Sequence, residues 1–262
     1  MPALLGRVGK RPGARHHAEL HELLPYLTEF LRTYPQVNVH LEYLRSNKIY
    51  EDLVEGKIDL GVVAYPAKRS QIVTIAFRHD ELVLVVPPDD PLAKHNKVSV
   101  SALVGQKFVG YERDIATRKA SDRILREYGV KPQYTMEFDN IETIKRAVEI
   151  GQGVAIVPLS TVEHETTRGS LKMLEFAEGT FTRPLAIIYK RGRELSPAVR
   201  KFVEVLTTAK IHSPGTRAEK GDGNNARSDA RAERADKFDR AEKADRTEKP
   251  ERAEKAERAE RA

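Results

Sequence analysis

Three short runs of polar residues stand where helices should begin: Ser46 and Asn47, then Thr117 and Arg118, then Asp139, Asn140 and Thr143. The first turn of a helix leaves backbone N–H groups unbonded at the positive end of its dipole. Side chains placed there can help to hold carboxylates or phosphates without any catalytic group. The expected ligand is therefore a small organic anion. Each run also has a plainer reading. Ser46 and Asn47 can cap their helix instead of touching a ligand. Arg118 can pair bidentately with an anion or lie in solvent beside Asp114 or Asp122. Asp139, three residues before Glu142, has the spacing of a capping box. Tyr65 and Pro66 close an apolar run, where packing at a hinge competes with stacking on a ligand.

Bond-making chemistry finds little support. The 262 residues include no cysteine, which removes thiolate nucleophiles, disulfides and Cys-based metal sites. Of the eight histidines, His16, His17 and His21 fall in or beside a basic leader, and the others lack metal-ligand spacing. His164, between Glu163 and Glu165, reads as part of a solvated loop. Gly151-Gln152-Gly153 precedes a strand and not a helix, so it is a helix stop, not a dinucleotide loop. No nucleophile, base and orienting group stand at recognisable spacing. The expectation is a protein that binds without catalysing, with no cofactor and no metal.

Charge points the same way. Of the net +6, the tail from Arg217 onward supplies little, since its 14 basic residues meet 13 acidic ones. The remaining surplus is mild and does not by itself argue for nucleic acid. No segment approaches the ~20 apolar residues needed to span a bilayer. The leader lacks the continuous apolar core of a secretory signal, so a cytoplasmic, membrane-free protein is expected.

Three textures divide the chain: an irregular basic leader over 1–18, a patterned body over 19–211, and a charged low-complexity tail over 212–262. In the tail, acid, base and Ala recur in triplets, as in Glu254-Lys255-Ala256. Attractive pairs at four residues are offset by like charges at three, so a solvated or marginally helical tail is expected. In the body, Leu20, Leu23, Leu24, Leu27, Phe30, Leu31 and Tyr34 mark one apolar helical face that Pro35 ends, with Pro25 in the first turn. Val37, Val39, Leu41 and Tyr43 alternate with polar residues, as in a half-buried strand. A short helix stops at Gly56, and an apolar run over 60–65 follows, a strand, helix, strand order that predicts a parallel pair. Further strands are expected at 72–77, 82–87, 107–111, 154–157, 171–176 and 185–189, and one where Tyr134, Met136 and Phe138 alternate. Helices are expected ahead of Gly129, ahead of Gly151, and after Ser196 and Pro197. Two α/β series predict two lobes, with the ligand in the crevice between them.

The body resembles the effector-binding domain of LysR-type transcriptional regulators. The residues that carry the likeness are Leu23-Leu24-Pro25-Tyr26-Leu27-Thr28-Glu29-Phe30 with Tyr34-Pro35, and Leu53-Val54-Glu55-Gly56-Lys57-Ile58-Asp59-Leu60-Gly61-Val62. Leu82-Val83-Leu84-Val85 with Asp90-Pro91-Leu92-Ala93 resembles the family's crossover strand, and Gly151-Gln152-Gly153-Val154-Ala155-Ile156-Val157-Pro158 its return. The resemblance implies an α/β fold of two Rossmann-like lobes joined by crossover strands, like that of type 2 periplasmic binding proteins. Lobe I is expected over about 19–87 and 159–208, and lobe II over about 88–158. It further implies a small-molecule effector and a homo-oligomer formed through this domain. The ligand-lining loops it implies carry Ser46, Asn47, Tyr65, Pro66, Thr117, Arg118, Asp139, Asn140 and Thr143. The family's winged helix-turn-helix is not recognisable in this chain, so DNA contact is expected only if that segment is encoded upstream. The family's first strand is expected just before Leu20, where no strand pattern stands; Gly6-Arg7-Val8 is read as a remnant of it. A solute-binding protein of the same fold and a dehydratase-like enzyme are the alternatives.

Overall fold

The computed structural model describes residues 3–8 and 23–208; the 9–17 part of the leader, Leu20 and the 212–262 tail lie outside the described residues. Strand β1 (Ala3–Val8) is followed by helix α1 (Leu24–Thr33), β2 (Val39–Leu44), α2 (Ser46–Val54), β3 (Leu60–Ala64) and β4 (Ile72–Val86). Then come β5 (Lys97–Val98), β6 (Lys107–Tyr111), α3 (Ala116–Glu127), β7 (Gln133–Phe138) and α4 (Ile141–Glu149). The series closes with β8 (Ala155–Pro158), α5 (Glu163–Arg168), β9 (Lys172–Phe176), β10 (Phe181–Lys190) and α6 (Pro197–Thr208).

In lobe I, α1 tolerates Pro25 in its first turn, buries Tyr26 and Phe30, and stops at Tyr34 just before Pro35. Its apolar face packs on α6, whose Phe202 ring lies 4.9 Å from that of Phe30. Leu60, Val62 and Ile187 close the same core from the sheet. Helix α6 opens as its sequence predicts, with Pro197 first and the Val199 N–H donating to Ser196 Oγ at 3.3 Å.

The leader departs from expectation. Its Ala3–Val8 segment is a strand, inserted between β2 and β3 and antiparallel to both. Strands β2 and β3 therefore run the same way without pairing directly, which corrects the adjacent parallel pair read from their order. A strand bonded on both edges takes its place from backbone ladders, so the absence of a polar and apolar alternation hid it.

Strand β4 corrects a second reading. Arg78-His79-Asp80-Glu81 interrupts the apolar pattern and suggests two strands, but the backbone continues through them as one of 15 residues. Its first part pairs with β10, and beyond Leu82 its partners become β8 and β9. The strand thus passes from one lobe to the other. Leu171, Leu174 and Phe176 pack in the lobe II cores with Val85, Leu84 and Ile144. Helix α5 and β9 therefore belong to lobe II. The chain changes lobe near 80–82 and returns near 181–183, not at 87 and 159, and the return strand is β10, not the 151–158 segment. His164, read as lying in a loop, is in α5.

At the crossing, the guanidinium of Arg183 on β10 donates to Asp80 Oδ2 on β4 at 3.0 Å, with both side chains almost wholly buried. Ser160 Oγ donates to the same oxygen at 2.7 Å, and the Glu81 N–H donates to Oδ1 at 2.9 Å. Each carboxylate oxygen is satisfied, as a buried charge requires. Farther into lobe II, β6 pairs in parallel with β7, and a bridge between Phe108 and Val154 brings β8 beside them. Gly153 makes that approach possible. At φ +146° its Cα faces Lys107 O so closely that a Cβ would stand 2.5 Å from it.

Candidate functional site

The connections that lead into α2, α3 and α4 meet between the lobes. Arg45, the residue before α2, carries the junction. Its Nη1 donates to Asp114 Oδ2 at 3.0 Å and its Nη2 to Glu112, both in the turn between β6 and α3. Asp139, just before α4, lies 4.0 Å from the same guanidinium. The four side chains are all about half exposed. Hydrogen bonding and charge from Glu112, with added charge from Asp114, push the Arg45 ionisation further above its ordinary range.

Of the nine residues expected at the site, the structure divides the roles. Ser46 and Asn47 form the first turn of α2, and neither caps it; Arg45 is the N-cap residue, and no side-chain hydrogen bond caps this helix start. The cap reading made for them from sequence fails because the helix starts one residue earlier than that reading needs. At α4 the cap is Asn140 and not Asp139: Asn140 Oδ1 accepts from the Thr143 N–H at 2.9 Å and from Thr143 Oγ1 at 2.8 Å. Asn140 is the residue with extended backbone before the first helical one, so its side chain reaches the N3 donor. The Asp139 carboxylate is left exposed, accepting from Asn140 Nδ2 at 3.1 Å.

Thr117 and Arg118 are both buried. Thr117 is wholly buried in the first turn of α3. Arg118 is 5% exposed, not solvent-facing, and is used on every side. It donates to Asp122 Oδ2 at 2.9 Å, to the Tyr111 carbonyl at 2.6 Å and to Glu137 Oε1 at 2.8 Å, while its guanidinium stacks 3.4 Å from the Tyr134 ring centre. Tyr134 in turn donates to Asp122 Oδ1 at 2.6 Å. Burial, reinforced by Asp122, pushes the Tyr134 phenol well above its usual range. The Arg118 hydrogen bond holds the Glu137 carboxyl below its own. Asp114, one of two acids offered by sequence to Arg118, serves Arg45 instead.

Tyr65 and Pro66 stand at the crossing. Tyr65 has φ +50°, and among the described residues it is the one non-glycine with a positive φ. Its N–H donates to Pro184 O at 2.9 Å, tying the end of β3 to β10. Burial pushes its phenol up to about 12, against the nearby positive charges of Arg183 and Arg123. A non-glycine residue held in this region is strained, which fits a position where two lobes join.

Sequence reasoning missed Arg45 and Glu112, and offered Asp114 to Arg118. Arg45 stands one residue before the run that drew attention, and its partners lie 67 and 69 residues away, beyond any local pattern. A separate recess of about 450 Å³ lies on lobe II, between α4 and α5, lined by Arg146, Glu149, His164 and Arg168 among others. Among the described residues, no group of three or more His, Cys, Asp or Glu could hold a metal ion. Nor is any helix there long and apolar enough to cross a membrane.

The LysR substrate binding domain model matches residues 13–210. A probable RuBisCO transcriptional regulator from Cyanophora paradoxa is 34% identical over 200 residues, covering 73% of this chain and 62% of that relative. The RuBisCO operon transcriptional regulator of Allochromatium vinosum is 29% identical over 185 residues, covering 70% of this chain and 61% of that one. This chain therefore spans about three fifths of their length. Among solved structures, the Synechocystis PCC6803 CcmR regulatory domain in complex with 2-PG aligns with a TM-score of 0.67 at 24% identity, covering 75% of this chain and 95% of that one. The effector binding domain of QuiR in complex with shikimate aligns with a TM-score of 0.62 at 18% identity, covering 71% and 89%. At such identities the structures establish the shared two-lobed fold. With the family model matching three quarters of its length, this chain belongs to the LysR substrate binding domain family.

Proposed function

We propose that this chain is the effector-sensing part of a cytoplasmic LysR-type transcriptional regulator and that it binds a small organic anion between its lobes. The observation that carries the reading is the meeting of three helix starts, with Arg45 among them, at the junction of two lobes that share β4 and β10. A ligand with greater affinity for one lobe arrangement shifts the population toward it, and the shift is passed to DNA through the helix-turn-helix of the regulator. Ser46, Asn47, Asp139 and Arg45 are the rim contacts proposed, with Tyr65 and Pro66 at the hinge. Asn140 and Thr143 shape the rim by fixing the start of α4. The domain is proposed to assemble with further copies of itself and to make or break no bond in its ligand. Two facts support the last point: Glu112 and Asp114 are held by Arg45, and the Thr143 hydroxyl by its cap.

Thermal-shift titration of the full chain tests this with a panel of small phosphorylated and carboxylated acids, 2-PG and shikimate among them. At a hundred times its Kd, a ligand specific to the native state adds about 2.7 kcal/mol of stability, a clear rise in Tm. A saturable rise with at least one acid is expected. Stabilisation by neutral or cationic compounds alone would defeat the anion reading. Turnover of any panel compound would defeat the binding-only reading.

A further inference from the structure

We infer that Arg45 exchanges partners when an anion enters the cleft: Glu112 and Asp114 hold the guanidinium edge that a ligand carboxylate or phosphate would take, and so act as internal competitors. The inference rests on the cleft reading above and adds to it a residue-level switch. Both terminal nitrogens of Arg45 are engaged, one by each acid, and both acids come from the other lobe. Each acid takes one nitrogen of the pair that a single external carboxylate or phosphate would engage together in a forked pairing. The contact therefore closes one lobe on the other by the same chemistry that would bind a ligand.

Exchange requires that the contact be breakable, and its exposure makes it so. Arg45 is 49% exposed, Glu112 39% and Asp114 56%, and water competes for charges in such positions. The Arg118 side chain, only 6% exposed, could not turn outward without stranding two carboxylates and a carbonyl. The local charge sharpens the point. Three carboxylates lie around the Arg45 guanidinium, so an arriving anion meets their repulsion unless it captures that cation. An intramolecular competitor lowers apparent affinity in proportion to the time it holds the site.

Opposite signs of effect separate this switch from a plain tether. The measurement is isothermal titration calorimetry at low salt on the full chain, with 2-PG and with inorganic phosphate as probes. E112Q/D114N should bind the better probe about three- to tenfold more tightly, because the competitors lose their charge. R45Q should bind it about tenfold or more weakly. Unchanged affinity in E112Q/D114N, or weakening in both variants, overturns the inference. A second readout needs no ligand. Because the chain has no cysteine, spin labels on Q36C and K131C, both at exposed positions, report the distance between lobes without background. R45Q and E112Q/D114N should each broaden or lengthen that distance distribution. An unchanged distribution in both overturns the latch. Failure of both probes to bind the native chain counts against the anion reading of the cleft, and leaves the label distances to decide the latch alone.

Discussion

Two arginines stand near helix starts in the two lobes, and the protein uses them in opposite ways. Arg118, in the first turn of α3, is sealed into lobe II and bonded to Tyr111, Asp122 and Glu137 of that same lobe. Arg45, ahead of α2, is half exposed and bonded to the lobe opposite. Both are arginines near a helix start, one just before the first turn and one within it. What separates them is burial: desolvation commits Arg118 to fixed partners, whereas solvent keeps Arg45 exchangeable. A cation near a helix start is thus a candidate contact only after its exposure is known.

The largest effect expected follows directly. R118M keeps much of the side-chain bulk but strips a nearly buried charge from two carboxylates and from the face of Tyr134. It should lower unfolding free energy by about 3 kcal/mol, the lower end of the cost of removing one member of a buried pair. Urea denaturation measures it. R45M should leave the urea midpoint where it is and act on ligand binding and lobe spacing instead. Equal urea midpoints for R118M and the native chain would erase the distinction between the two corners.

A smaller effect tests the two helix starts themselves. N140A removes the acceptor of both the Thr143 N–H and its hydroxyl, so α4 should lose about 1 kcal/mol, visible as faster amide hydrogen exchange in its first turn. S46A removes no cap and should leave exchange in α2 unaltered. Equal effects at both positions would mean that Ser46 caps α2 after all.

How far the sequence could be read depends on the range of the interaction involved. Elements bounded by local chemistry were readable: Pro25 and Pro35 bracket α1, Ser196 and Pro197 open α6, and Gly129 and Gly151 end α3 and α4. Features set by distant pairing were not. Strand β1 owes its place to ladders with β2 and β3, and β4 continues through Arg78-His79-Asp80-Glu81 because β10 pairs with it along that length. The return between lobes was misplaced for the same reason, since only packing shows that Leu171 and Leu174 face the lobe II cores. At the site, neighbouring polar residues were told apart by one position of register: Asn140 caps where Asp139 was expected, and Arg45 reaches across where Ser46 was expected to contribute. The family itself was readable because its signature runs consist of local helix stops and strand starts.

The smallest effect expected lies in the pH dependence of the buried corner. The Arg118 hydrogen bond holds the Glu137 carboxyl below its ordinary value of 4.5 in the folded chain. A carboxyl whose folded value is depressed binds protons more readily when unfolded. Its stabilising contribution is therefore complete above about pH 4.5 and is lost as pH falls through the folded value. E137Q cannot lose what it lacks. Near neutrality it should melt below the native chain by a margin worth less than about 1 kcal/mol, given the partial exposure of Glu137. The margin should narrow steadily as the pH is taken below 4.5. The exposed pairing of Arg45 predicts a contrast in salt: added electrolyte should loosen the lobe-spanning contact well before it disturbs Glu137. A margin between E137Q and the native chain that stays constant on acidification would show that the corner owes its stability to packing on Tyr134, not to charge.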